Sequence, residues 1–353
     1  MLKIVTPGLL AVLIAGTVST AFAQEAIAPE VPKEAKEKRV LEVGKWYPTL
    51  EGGLNLTQAS YSENWKGGET GSVSWNAFLN GSAENQVKPT LNWLSSMKLL
   101  YGQTRRQEIG ANGDRSWGDA EKSADLIQIE SILRLTRNWA VDPYLSVRYE
   151  SFFQDITDPF GRKLWINPMT FKESTGIARK FKDREDDQLL MRAGFTAREN
   201  YRQFYASDTG NETFSETSWD VGAELIVDYK KVFEQRLTYV SRLSVYQPFN
   251  WSKNEIFDAL GPDSLIAAGL SPDIASYATT VDVDWQNTFT TKVTKFISFN
   301  FYLEILYDKY DNTVVPIVDD NGALTNAGAI DFSVRKKGQF KQTFGVGLSY
   351  TFK

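Results

Sequence analysis

Carboxylates are the side chains best placed to do chemistry in this chain, because it contains no His and no Cys. The commonest general base and the thiolate nucleophile are therefore both missing, and so is any disulfide. Paired acids remain, and two of them can activate water as general acid and general base. Asp282 and Asp284 fall on one face of Val281-Asp282-Val283-Asp284-Trp285, and Glu304 and Asp308 share a face further on. A denser group, Asp183-Arg184-Glu185-Asp186-Asp187, could offer oxygens to a divalent cation. Same-face acids two residues apart are more simply the lining of a wet surface, and the 183–187 run reads as a solvated turn. We expect no catalytic residue, no cofactor and no metal.

The elements that must position these acids alternate with a period of two. The chain closes on Phe344-Gly345-Val346-Gly347-Leu348-Ser349-Tyr350-Thr351-Phe352-Lys353, with large apolar residues on every second position. That pattern suits a strand with one face in lipid and the other in a lumen. Similar runs begin at Leu50-Leu54-Leu56 and Val73-Trp75-Ala77-Leu79 and recur along the chain, including a weak one, Met169-Phe171-Thr175-Ile177, interrupted by Glu173. The expected fold is all-β, a transmembrane antiparallel barrel of about twelve strands over residues 46–353, closed by pairing the first strand with the last.

Connection lengths test the strand number. With twelve strands the short links at 84–88, 137–139, 181–188, 230–233 and 292–295 fall at one end, expected to be periplasmic. The long stretches 104–122, 156–167, 202–215, 250–276 and 310–337 fall at the other. Omitting the weak strand at 168–180 breaks this pattern. A soluble β-sandwich also alternates, but its strands are usually about five or six residues long, and many runs here are longer.

Apolar residues occupy odd positions in most strands, so the even ones face the lumen. They include Lys98, Glu130, Arg134, Arg148, Glu150, Arg192, Arg198, Glu224, Asp228, Arg242, Asp282, Asp284, Glu304 and Asp308. A basic side chain facing lipid at the midplane would cost about 2–4 kcal/mol, so this parity supports the assignment. Both signs are present. They could line a water-filled pore that selects solutes or neutralise one another in a closed lumen, and width alone does not decide between these.

Lys3, the apolar run from Gly8 to Gly16 and Ala21-Phe22-Ala23 compose a secretory signal, with cleavage expected after Ala23. Residues 24–45 read as a periplasmic tail or short helix, or alternatively as a plug in the lumen. Ten Trp, fifteen Tyr and twenty-one Phe suit aromatic girdles at membrane interfaces. A net charge of −5 gives no basic surface for nucleic acid. The expected setting is the bacterial outer membrane, with its lipid and the barrel-assembly machinery, reached through the C-terminal strand, as partners of a monomer.

Between the first two strands lies Ser62-Glu63-Asn64-Trp65-Lys66-Gly67-Gly68-Glu69. Its paired Gly67 and Gly68 allow a tight turn, and Asn64-Trp65 places an amphipathic ring at the loop base. A hairpin with an interface anchor and a surface recognition loop both fit. From this motif onward the chain resembles an uncharacterised family of outer-membrane proteins classed as a domain of unknown function. Asn167-Pro168, Val281 to Trp285, Lys292-Val293-Thr294-Lys295-Phe296 and Leu306-Tyr307-Asp308 carry the resemblance further. It implies a barrel and supplies no substrate. Passive passage of small hydrophilic solutes is the leading expectation; the alternatives are a closed barrel acting through its outer loops and, third, an envelope enzyme.

Overall fold

The computed structural model describes residues 41–61, 70–112, 114–137, 139–184, 186–207, 209–233, 237–294, 297–335 and 337–352. The signal segment, most of the 24–45 tail and the Asn64, Trp65, Gly67 and Gly68 motif lie outside these residues.

Twelve long strands form one antiparallel sheet. In chain order they are β1 (Trp46–Ala59), β2 (Ser72–Lys88), β3 (Leu91–Ile109), β4 (Glu121–Leu135), β5 (Asp142–Ser151), β6 (Met169–Asp183), β7 (Asp187–Tyr205), β8 (Thr213–Phe233), β9 (Leu237–Trp251), β10 (Asp282–Lys292), β11 (Ile297–Tyr307) and β12 (Gln339–Phe352). Each pairs with its neighbours in sequence, and β1 pairs with β12 from Leu50↔Phe352 to Asn55↔Gly347. The sheet thus closes without a free edge, which is what a strand-built structure needs in lipid, where an unpaired amide has no water to bond.

Side-chain parity follows the expectation. Trp93, Ile129, Leu133, Leu145, Val147, Phe195, Trp219, Leu225 and Trp285 are exposed on the outside at odd positions, and Leu54, Phe344, Val346 and Leu348 at even positions on the two closing strands. The inside buries polar groups instead, including Glu130, Arg134, Arg148, Arg192, Glu224, Asn92 and Ser174. An apolar exterior around a charged interior is the inverse of a β-sandwich, and it marks a barrel built to stand in lipid.

The weak strand forms in full. In β6, Glu173 pairs in register with Val147 and Ala197 and sits exposed on the outer face, so it interrupts the apolar pattern without interrupting the ladder. The short links are tighter than expected. The β2 ladder runs on to Lys88, β6 and β7 leave only 184–186 between them, and β8 continues through Phe233. Residues 84–88, 181–183, 187–188 and 230–233 are therefore strand rather than turn, because polar residues near the interface pair as readily as apolar ones.

At the opposite end, loops 252–281 and 308–338 hold helices α1 (Asn254–Ala267), α2 (Ile274–Tyr277) and α3 (Ala327–Ser333). These loops share an apolar core of Trp251, Phe257, Leu265, Leu270, Ile274, Ala278, Tyr310, Val314, Val315 and Ile330. This cap is the largest apolar cluster among the described residues.

Candidate functional site

Inside the barrel, the charges expected from parity gather into a cross-lumen belt. Glu130 on β4 receives hydrogen bonds from Arg148 on β5 at 2.9 Å, Arg192 on β7 at 2.8 Å and Arg242 on β9 at 3.1 Å. Arg192 and Arg242 also reach Asp228 at 3.3 and 3.5 Å. Glu224 lies 3.9 Å from Arg148 and accepts from Ser174 and Thr196. Arg192 is 2 % exposed and Glu130 4 %, so these charges pair with one another away from bulk water, while the buried Nε atoms of Arg148 and Arg192 meet no partner among the described residues.

Toward the long-loop end the belt continues. Lys172 bridges to Glu150 at 3.0 Å, and Gln128 donates to Glu150. Arg198 joins Asp220 at 2.8 Å and Asp282 at 3.0 Å, linking β7, β8 and β10, and the Tyr246 hydroxyl donates to Asp220. Asp284 accepts from Gln286. At the short-turn end Arg134 faces Asp142 at 3.5 Å. Lys98 faces the lumen with no hydrogen bond or ion pair among the described residues. Asp308 lies just beyond β11 and bonds Arg335 at 3.0 Å, so it belongs to the cap rather than to the lumen wall.

The cap is fastened to this belt. Arg202 on β7 donates to Thr313 at 2.8 Å and to Asp155 and Thr157 in loop 152–168 at 3.2 and 2.8 Å, and it reaches Asp311 at 3.5 Å. Asn312 donates to Asp220 and to the Ala278 carbonyl, while the Ser218 hydroxyl donates to the Asn312 carbonyl. The 311–313 tip thus bonds directly to β7 and β8. Burial pushes the Asp308 carboxyl up to about 7, with Asp282 and Asp311 adding to the rise. Burial also works against Asp311, but Arg202 and Arg335 outweigh it and hold that carboxyl below its usual value.

The opposite wall is different. Along β12, β1 and β2 the inward positions include Thr343, Gly345, Gly347, Gly53, Asn55, Thr57, Ser74, Asn76, Asn80 and Ser82, with Lys341, Glu51 and Glu84 charged among them. Here neutral groups pair with one another: Asn55 with Asn76 at 2.7 Å and Thr49 with Ser82 at 2.6 Å. Glycines keep this wall thin. A Cβ on Gly53 would collide with the Phe78 ring and one on Gly347 with Asn55, so both side chains lie flat against the sheet. Thr57, Asn80, Lys341 and Thr343 are exposed although they face inward. Two cavities, of 270 and 580 Å³, open beneath the belt at the short-turn end. Both are lined by Leu41, Asn92 and Arg134.

Some functional residues escaped the sequence reading. Lys172, Arg202 and Tyr246 satisfy the same even parity and could have been found by it. Asp155, Asp311 and Asn312 lie in loops, where no period marks a direction. Of the 183–187 acids, Asp187 bonds Lys182 and Lys231, and Asp183 bonds Lys180; among the described residues no group of three or more acids is placed to hold a metal ion.

No curated protein matches the sequence. Among solved structures, the COG4313 outer membrane channel from Pseudomonas putida F1 matches at 13% identity over 91% of this chain and 99% of that one, with a TM-score of 0.37. The β domain of the Bordetella autotransporter BrkA matches at 9% identity over 86% of this chain and 98% of that one, with a TM-score of 0.31. The translocator domain of autotransporter NalP from Neisseria meningitidis matches at 7% identity over 87% of each chain, with a TM-score of 0.33. The resemblance to a family of unknown function is met in the first part of the barrel, where residues 56–155 match the family described as Protein of unknown function (DUF3078).

Proposed function

We propose that this chain is an outer-membrane barrel that admits small hydrophilic solutes along the wall of β12, β1 and β2, where neutral side chains outnumber charged ones. The observation that carries the reading is the contrast between two sides of one lumen. Glu130, Arg148 and Arg192 are buried in mutual ion pairs, whereas Thr57, Asn80 and Thr343 face inward and remain exposed to solvent. A belt and cap that occupy one side would leave room for a passage beside β12, β1 and β2. Neutral hydroxyls and amides there would replace part of a solute's hydration without binding it tightly, as conduction requires. Termini and short turns would stand in the periplasm and the cap at the cell surface.

The test is single-channel recording from refolded protein in planar bilayers. Small, steady conductance is expected. Absence of current from protein whose heat-modifiable gel mobility shows a closed barrel would reject the passage. That result would favour a second reading, a sealed barrel acting through its outer loops, which the apolar core of the cap supports.

A further inference from the structure

Loop 152–168 carries a short hairpin, Gln154–Asp155 paired with Leu164–Trp165. Its inner side is fixed to the lumen wall. Asn167, 1 % exposed, donates to Asp155 at 2.7 Å and to the Gln203 carbonyl, and accepts from the Gln203 amide. Its outer side is apolar and bare: Phe160 is 57 % exposed, Trp165 66 % and Ile166 50 %. Ile166 has a φ of 53°, a left-handed conformation that a β-branched side chain rarely adopts. This bend breaks the strand alternation, turning Asn167 inward while Trp165 and Ile166 both stay exposed. The buried Asn167 anchor holds this strained bend in place.

The hairpin tip leans over the outside of β7. The Arg162 guanidinium lies 3.9 Å from the centre of the Tyr205 ring and donates to the carbonyls of Ser207 and Gly210. The Tyr205 hydroxyl donates to the Lys163 carbonyl. Tyr205 shares its outward parity with Phe195, with Glu199, Tyr201 and Gln203 between them on that face of β7, and at the root of the hairpin the outward rings of Tyr149 and Phe171 meet at 5.1 Å. Lys163 is exposed beside it, with no ion pair among the described residues.

We propose that Phe160, Trp165 and Ile166 form a lip that enters the outer leaflet, with Lys163 placed to meet the phosphate of a phosphorylated glycolipid there. An apolar wedge with a cation above it matches a lipid whose charge lies at the headgroup and whose chains lie below. This rests on the cap end facing outward.

Because the chain has no Cys, Ile166→Cys, Leu225→Cys and Asp320→Cys each give one labelling site. They would carry an environment-sensitive fluorophore at the lip, on the lipid belt and on an exposed cap turn. Refolded protein goes into phospholipid vesicles with and without lipopolysaccharide, and is challenged with lipid-borne and with water-soluble quenchers. The label at 166 should be quenched at least three-fold more by the lipid-borne agent than the label at 320. Lipopolysaccharide should raise that ratio, and Lys163→Glu should remove the rise. A label at 166 that behaves like the one at 320, while 225 reports lipid, overturns the lip. A response indifferent to lipopolysaccharide overturns the glycolipid assignment. Accessibility of the 320 label to an impermeant thiol reagent on intact cells reports orientation separately, and neither result depends on whether the barrel conducts.

Discussion

Arg242 on β9 and Glu130 on β4 meet inside the barrel, Nη1 of one 3.1 Å from Oε2 of the other, with β5 to β8 standing between them around the wall. A contact of this kind ties distant strands together, so it acts on stability as well as on the width of the lumen. Glu130 is its centre because three guanidinium groups converge on one carboxylate.

Removing that carboxylate should be costly. In Glu130→Gln, Arg148, Arg192 and Arg242 would retain their burial and lose a shared counter-charge, and breaking a buried pair typically costs about 3–5 kcal/mol. Urea unfolding of the refolded barrel, followed by heat-modifiable gel mobility, should show a loss of this order. Glu130→Gln combined with Arg242→Met should recover part of it, since one orphaned charge goes with its partner. Equal stability of Glu130→Gln and the unsubstituted chain would mean that water already screens the belt.

Arg202 fastens two loops at once. Replacing it with Met would free Asp155 and Thr157 on one loop and Asp311 and Thr313 on the other. With the Arg202 and Asp155 side chains each 6 % exposed, the loss should be about 3 kcal/mol. The functional consequence should be larger than the global one: protease cleavage within 309–335 should accelerate, and recordings should show a higher, noisier conductance. A cap that stays resistant in Arg202→Met would shift the weight of the latch to Asn312.

The cap should also respond to pH. Asp308 is pushed up to about 7 from an ordinary 3.8, so in the unfastened loop it ionises first, while in the folded cap it keeps its proton longer. Its contribution is therefore complete below pH 3.8, falls as pH rises, and is gone above about 7. Asp311 acts in the opposite sense: its carboxyl is held low, so its contribution is present above 3.8 and is lost as pH falls below that. Protease resistance of the cap should thus decline from pH 5 to pH 8, and Asp308→Asn should flatten the decline. A slope unchanged in Asp308→Asn would place the titrating group elsewhere.

Much of the barrel was legible because lipid favours apolar side chains at every second, outward position of a spanning strand, a pattern that Glu173 interrupts at one place. Trp219, Val221 and Leu225 on β8 obey it, and Asp220, Glu224 and Asp228 take the alternate positions. Identity alone does not say which inward charges meet across the lumen, because Glu130 and Arg242 are 112 positions apart and join only once closure brings β4 and β9 together. The cap was less visible. Phe257 and Leu265 lie in a stretch interrupted by Gly261 and Pro262, which reads as a loop, and its helices form because Trp251 and Tyr310 supply a surface to pack on. Ile166 was invisible for a further reason: no sequence pattern announces a left-handed β-branched residue.

The wall of β12, β1 and β2 offers the sharpest test of the proposed passage. Gly347 leaves room for Asn55 to lie against the sheet, and a Cβ there would clash with the Asn55 side chain. Gly347→Val should swing Asn55 into the lumen, reducing conductance several-fold. Because Gly347 stands on the closing strand, some loss of stability should accompany it, so Gly347→Val with Asn55→Ala is the companion variant. Removing the displaced amide should restore current while keeping the valine. Thr343→Trp should block without any such rescue, since its ring would project from an exposed inward position. Matched reductions at the belt, as in Glu224→Leu, with no effect at 347 or 343 would move the path to the charged side, where solutes would have to pass between paired ions instead of beside them.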